Sequence, residues 1–293
     1  MQVGKLKYRL GCYLFLLPAI IYICLLLIYP LIYNIELSFR DVSLISYMRG
    51  TSKYLGLGNY QKLFRDPIFH RILCNTAIFM VLSIVFQFVL GLLLALLFNR
   101  DFPLNNIFQG LILLPWFVPI MVKGNIFRWF FSDMGTINGF LSSLGIISHP
   151  IPWITSKSLP IISLSIANIW LGIPFNFILL YTGLKAIPVE LYECAQIDGA
   201  RQWHQTIYIT LPLLKPVIVT TLMLGSIFTI KVFDLVWIIT KGGPGNISHL
   251  FSTYSYALAM EQFKFGMGAA VAIVMVLIVT AITIGFHCIK VDY

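Results

Sequence analysis

The sequence predicts an all-α membrane protein with six transmembrane helices, and three observations carry that prediction. Of 293 residues, 59% are hydrophobic and only 11% are charged, whereas a water-soluble domain carries about a quarter charged residues. Uncharged windows recur at the length a helix needs to cross a bilayer, about 20 residues. Charges and helix breakers collect in the segments between those windows.

The first window, Leu10 to Ile35, follows Lys5, Lys7 and Arg9 and shows no A-x-A cleavage pattern, so it reads as an uncleaved signal anchor, the first span. A long charged connection, Glu36 to Arg71, precedes the second span, Ile72 to Asn99. A turn then leads into the third, Phe102 to Val122. The uncharged window Met134 to Ser156 is not counted. It holds Gly135, Gly139, Gly145, Pro150 and Pro152, breakers that suit a loop lying along a membrane face. Ser158 to Leu184 is the fourth span. Pro216 to Ile230, the fifth, is short and is expected to continue through Val232 and Phe233 toward Val236. Phe265 to Ile289 is the sixth.

The net charge of +9 comes from basic residues placed singly between apolar runs, which argues for membrane flanks and against nucleic acid. With six spans both termini share a side. Lys5, Lys7 and Arg9 against Arg40 at the other end of the first span favour a cytoplasmic N-terminus. Cys12, Cys24, Cys74, Cys194 and Cys288 have no metal-ligand spacing and read as buried, inert thiols. No G-x-x-x-x-G-K-[ST] run exists to cradle phosphate, so ATP chemistry and cofactors are not expected on this chain. Gly242-Gly243-Pro244-Gly245 reads as a tight external turn.

The segment between spans four and five has the composition of a helical hairpin. Pro188 suits a first helical position, Glu190 and Glu193 favour the positive end of the helix dipole, and Gly199 is able to stop the helix at positive φ. A second helix, Arg201 to Ile209, is expected to end before Pro212. Glu193, Asp198 and Arg201 surround the bend. From these residues alone two readings stand: a knob presented to another protein, or an interfacial helix resting on lipid through Trp203 and Tyr208.

The motif E-C-A-x-x-D-G-A at Glu193 to Ala200, with Pro212 following in I-T-L-P, resembles the EAA loop of ABC importer permeases. Cys194 stands where that family has alanine. Other stretches resemble the sugar-type permeases in the same order: L-L-P-A at Leu16, G-L-G-N-Y-Q-K-L-F at Gly56, L-P-W-F-V-P at Leu114, N-I-W-L-G-I-P-F at Asn168 and T-K-G-G-P-G at Thr240. The resemblance implies the transmembrane domain of a type I ABC importer (MetI-like), of the maltose and glycerol-phosphate type. It implies a heterodimer with a second permease, two ATP-binding subunits, an external solute-binding protein and a sugar substrate, in a bacterial plasma membrane with both termini cytoplasmic. It divides the chain into a signal-anchor span with an external segment, 1–71, and a five-span permease core, 72–293, with the coupling loop at about 185–215. Coupling to the ATPase then falls to Glu193, Ala195, Asp198, Gly199 and Ala200, with Arg201 at the same bend.

Polar and aromatic residues inside spans are candidates for the solute path, because such groups face protein or water rather than lipid. Asn168, Trp170 and Asn176 in span four are the first choice, with Gln87 and Gln109 in spans two and three. Asp234 is added at the outer end of span five, where it shares a helix face with Lys231 and is placed to pair with it. An ion-coupled secondary transporter is the competing function, but it calls for inverted repeats and acids at mid-span. A membrane-embedded enzyme needs clustered acids, His or a nucleophile at one depth, and the sequence does not supply them.

Overall fold

A computed structural model of the chain describes residues 15–100 and 102–288. Lys5, Lys7, Arg9, Cys12 and Lys290, which the orientation and thiol readings use, lie outside them. In chain order the elements are α1 (Phe15–Ser38), β1 (Arg40–Asp41), α2 (Leu44–Met48), β2 (Lys53–Tyr54), α3 (Gly58–Arg65), α4 (Pro67–Phe98), α5 (Asn105–Phe117), α6 (Ile120–Phe130), α7 (Thr136–Ser143), α8 (Pro160–Lys185) and α9 (Val189–Ile197). There follow α10 (Gln202–Ile230), α11 (Asp234–Ile239), α12 (Phe251–Tyr256) and α13 (Phe265–His287). Among the described residues, α1, α4, α8, α10 and α13 are long and apolar enough to cross a membrane, and the bent α5–α6 pair is long and apolar enough for a sixth when counted as one span.

The third span is bent, and two expectations about the fifth need correction. The third is not a straight rod, because α5 and α6 meet at 94°, where Val118 is extended and Pro119 can donate no backbone hydrogen bond. The fifth does not continue to Val236. It stops at Ile230, and α11 starts afresh at Asp234. Its length lies on the other side, since α10 runs unbroken through Pro212. The segment Thr206–Thr210 just before that proline is a π turn, closed by Leu211 N–H on the Thr206 carbonyl. The wider turn removes the clash and the missing donor that proline would bring to a regular helix. The same device recurs in α1, where a π turn over Cys24–Ile28 precedes Pro30.

The chain divides into two compact units. One holds residues 1–65 and 255–274. Its two strands pair antiparallel, Arg40 opposite Tyr54, and Asn59 donates to the carbonyls of Ser38 and Arg40, both at 2.9 Å. Tyr60 donates to the Ser38 hydroxyl at 2.7 Å. The G-L-G-N-Y motif therefore ties off the end of α1. Gly266 donates to the Val42 carbonyl at 3.0 Å, which joins α13 to the hairpin.

The other unit holds residues 66–254 and 275–293. Its centre is α4 against α8, with α10 packed on both. Phe98, Phe177, Leu180, Leu184 and Leu214 form one buried cluster. Phe79, Phe127, Phe131 and Leu164 belong to another, which gathers α6, α8 and α11. The segment not counted as a span contains the short helix α7, and Asn138 there bonds the backbone of Ser132, Asp133 and Ile151. Cys24, Cys74, Cys194 and Cys288 are exposed rather than buried. In a membrane chain the outer surface is itself apolar, so an apolar run does not imply an interior position.

Candidate functional site

The hairpin forms as its residue types require at the first helix and differently at the second. Helix α9 starts after Pro188 and carries Glu190 in its first turn. It ends in a Schellman turn, with Ala200 N–H on the Ala195 carbonyl at 2.8 Å and Gly199 N–H on Gln196 at 3.0 Å. Gly199 sits at φ +80° with open space around it, so backbone conformation alone selects glycine there. Arg201 is extended, and α10 then begins.

Polar bonds fix the knob to the bundle. Gln205, nearly buried, donates to the Ala200 carbonyl at 3.1 Å. The Tyr192 hydroxyl meets Thr210 Oγ1 at 3.0 Å. Arg100, between α4 and α5, donates to Gln202 at 3.2 Å. Yet α9 itself buries no residue. Glu193, Asp198 and Arg201 are exposed, Ala195 and Ala200 half-buried, and Ile197 is 86% exposed. The tip of the knob is thus apolar at Ile197 and ringed by the exposed Glu193, Asp198 and Arg201.

A second site lies among the spans: a cavity of about 410 Å³. Gln87 of α4, Trp116 of α5, Asn168, Gly172 and Phe175 of α8, and Phe228 and Thr229 of α10 are in its wall. No charged side chain lines it. Gln87 donates to the Asn168 carbonyl at 2.8 Å, while the buried Asn168 Nδ2 has no hydrogen-bond partner. Phe175 and Phe228 meet edge to face at 5.3 Å. At Gly172 any Cβ would overlap the Gln87 amide. The wall thus offers amide and hydroxyl groups beside aromatic faces, the combination that holds a polyhydroxylated solute.

The four residues expected on the solute path part company. Asn168 lines the cavity. Trp170 faces away into a groove beside Leu111 and Pro174 and sets its edge on Phe127 at 5.6 Å. Asn176 is buried, donates to the Gly172 carbonyl at 3.0 Å and packs on Gly91. Asp234 is exposed in the first turn of α11. It makes no ion pair with Lys231, because the helix breaks between them. Lys231 lies over the Phe228 ring at 4.8 Å instead.

Trp116, Gly172, Phe175, Phe228 and Thr229 escaped sequence reasoning, although a signal existed. Asn168, Leu171, Gly172 and Phe175 recur at i, i+3, i+4, i+7, and Gly225, Phe228, Thr229 and Val232 repeat that spacing. The first set is one face of α8; Gly225, Phe228 and Thr229 are one face of α10, and Val232 follows just past its end.

The glycine-rich turn is held on the chain's own frame. Ser248 bonds Thr240 at 2.9 Å, and Asn75 of α4 donates to the carbonyls of Ile247 at 2.6 Å and His249 at 3.2 Å. His249 lies buried against Gly242, with Nδ1 at 3.1 Å from Thr253 Oγ1. Burial pulls its pKa down to about 4. Tyr254, beside it, hydrogen-bonds Asp66 at 3.5 Å. Burial, and then the Asp66 charge and hydrogen bond, push its phenol up to about 12.

The sulfoquinovosyl glycerol permease SmoG of Agrobacterium fabrum is 34% identical over 84% of this chain and 79% of its own. The trehalose/maltose permease MalF of Thermococcus litoralis is 33% identical, over 86% and 85%. A chain of a bacterial alginate ABC transporter, solved with an alginate-bound periplasmic protein, superposes with a TM-score of 0.83 at 25% identity, over 97% of this chain and 94% of that one. The MetNI methionine transporter shares the fold at a TM-score of 0.52 and 16% identity, over 74% and 92%. Residues 87–289 match the family model of the binding-protein-dependent transport system inner membrane component, and the chain belongs to that family.

Proposed function

We propose that this chain is one of two membrane subunits of an ATP-driven sugar importer. It pairs with a second, related permease, couples to two ATP-binding subunits through the α9–α10 hairpin, and receives solute from an external binding protein. It sits in the bacterial plasma membrane with the hairpin and both termini in the cytoplasm, and it binds no nucleotide and no nucleic acid. Glu193, Ala195, Asp198, Gly199, Ala200 and Arg201 form the coupling surface. Asn168, with Gln87 and Thr229, lines the path for an uncharged saccharide, since the cavity wall carries neither acid nor base. Asp234 flanks that path rather than entering it.

The observation that carries this reading is the uncovered knob: a rigid helix with no buried residue whose turn holds the E-C-A-x-x-D-G-A sequence. The ATP-binding subunits close on nucleotide, move the knob, and rock the two permeases between inward- and outward-open states. Bound nucleotide and the loaded binding protein favour the same state, which links transport to hydrolysis. The test is uptake of labelled maltose, trehalose, lactose and chitobiose by proteoliposomes holding the assembled transporter and its binding protein. Uptake of at least one should require ATP. In Glu193→Ala, ATP hydrolysis should persist while uptake falls about tenfold or more. Uptake driven by an ion gradient without ATP would refute the reading.

A further inference from the structure

The 94° bend between α5 and α6 leaves carbonyls at the end of α5 in need of partners, that of Pro115 among them. In a continuous helix the N–H of residue 119 would bond the Pro115 carbonyl, and Pro119 has no N–H. A carbonyl left bare inside a bilayer costs several kcal/mol. Here Lys123 supplies the donor: its Nζ reaches the Pro115 carbonyl at 2.8 Å. Lys123 is half-buried and forms no ion pair among the described residues. On the following residue, Gly124, a Cβ would run into Ile238 of α11, so α6 is held at that side as well. Pro115 is buried, and its neighbour Trp116 lines the cavity.

We infer that Lys123 is a positioning residue: by bonding the carbonyl that Pro119 cannot serve, it fixes the bend that aims Trp116 into the cavity. The inference rests on the cavity being the solute path, as proposed above. Lys123 itself does not line the cavity, so its effect passes through the backbone of α5.

The test reads the position of residue 116 without any solute. In the assembled transporter, Trp116→Cys is introduced with Cys12, Cys24, Cys74, Cys194 and Cys288 changed to Ser, and a water-soluble cationic methanethiosulfonate is added. The thiol should be modified readily. Lys123→Met should slow modification by about tenfold or more, and Lys123→Arg, which keeps a donor of similar reach, should stay within about twofold of Lys. Equal rates with Lys and Met would overturn the role of Lys123 alone. No modification in either chain would overturn the cavity as a water-filled path, and this inference with it. Should Lys123→Met fail to assemble, Pro119→Ala with Lys123→Met restores a backbone donor. That pair should assemble and label slowly. Labelling at the rate of the Lys chain, or no assembly, would overturn the inference.

Discussion

Gly172 and Gly199 are glycine for opposite reasons, and their substitutions should fail in opposite ways. Gly172 lacks space: its missing Cβ is where the Gln87 amide lies. Gly172→Ala pushes Gln87 into the cavity or off the Asn168 carbonyl, an overpacking cost of about 1–3 kcal/mol. The expected result is normal assembly with a raised KM for uptake. Gly199 has space but an unusual backbone, φ +80°, which costs an L-residue about 1–2 kcal/mol. Gly199→Val should leave the spans folded and loosen the turn, so that ATP hydrolysis in the assembled complex no longer tracks uptake. At the glycine-rich turn the relevant variable is pH. His249 is held neutral, with its pKa at about 4 against the ordinary 6.5, so an unfolded loop takes up the proton first. Stability is full above pH 6.5 and declines as pH falls toward 4, by about 3 kcal/mol in all. Thermal unfolding at pH 7 and pH 4.5 should show this loss in the native chain and a smaller one in His249→Asn.

Elements were legible where composition decides them and illegible where a single backbone group does. The apolar windows located α1, α4, α8 and α13 because the cost of a charge at mid-bilayer acts on every residue of a span. Pro212 was expected to end a helix, and it does not, as Pro174 and Pro216 do not end theirs. The π turn over Thr206–Thr210 absorbs it, and no hydropathy pattern encodes that turn. Pro119 looked no different in sequence and yet breaks its helix, because extended Val118 leaves no wider turn to absorb it. Deleting Ile207 should remove the extra residue of the π turn and drive the Pro212 ring against the carbonyl four residues back. The expected outcome is loss of about 3 kcal/mol or more, read as a lowered melting temperature of the assembled transporter. The hairpin was legible at α9, where the Glu, Asp and Gly positions each answer a local demand, and only half legible beyond it. The cavity was visible at Asn168 and Gln87 through their polarity. Its aromatic and glycine members stayed hidden because such residues are common in every span.

The chain as a whole is incomplete as a folded object, and α1 shows this most plainly. None of its most apolar stretch is buried within the chain. In water that surface would be untenable; a bilayer covers it. Purified alone in detergent, the chain should melt at a lower temperature than in the assembled transporter, and it should show no binding of a fluorescent ATP analogue. Assembly also gives meaning to the unbroken run of α10, which begins at the knob and ends in the cavity wall at Phe228 and Thr229. At 1.5 Å per residue the two ends stand about 40 Å apart. Under the proposed function, one helix therefore connects the coupling surface to the solute path, and a tilt of about 5° at its foot sweeps its head through about 3 Å. A displacement of that size, the diameter of a water molecule, is enough to open or shut the wall around a sugar ring, with no relay of side chains in between.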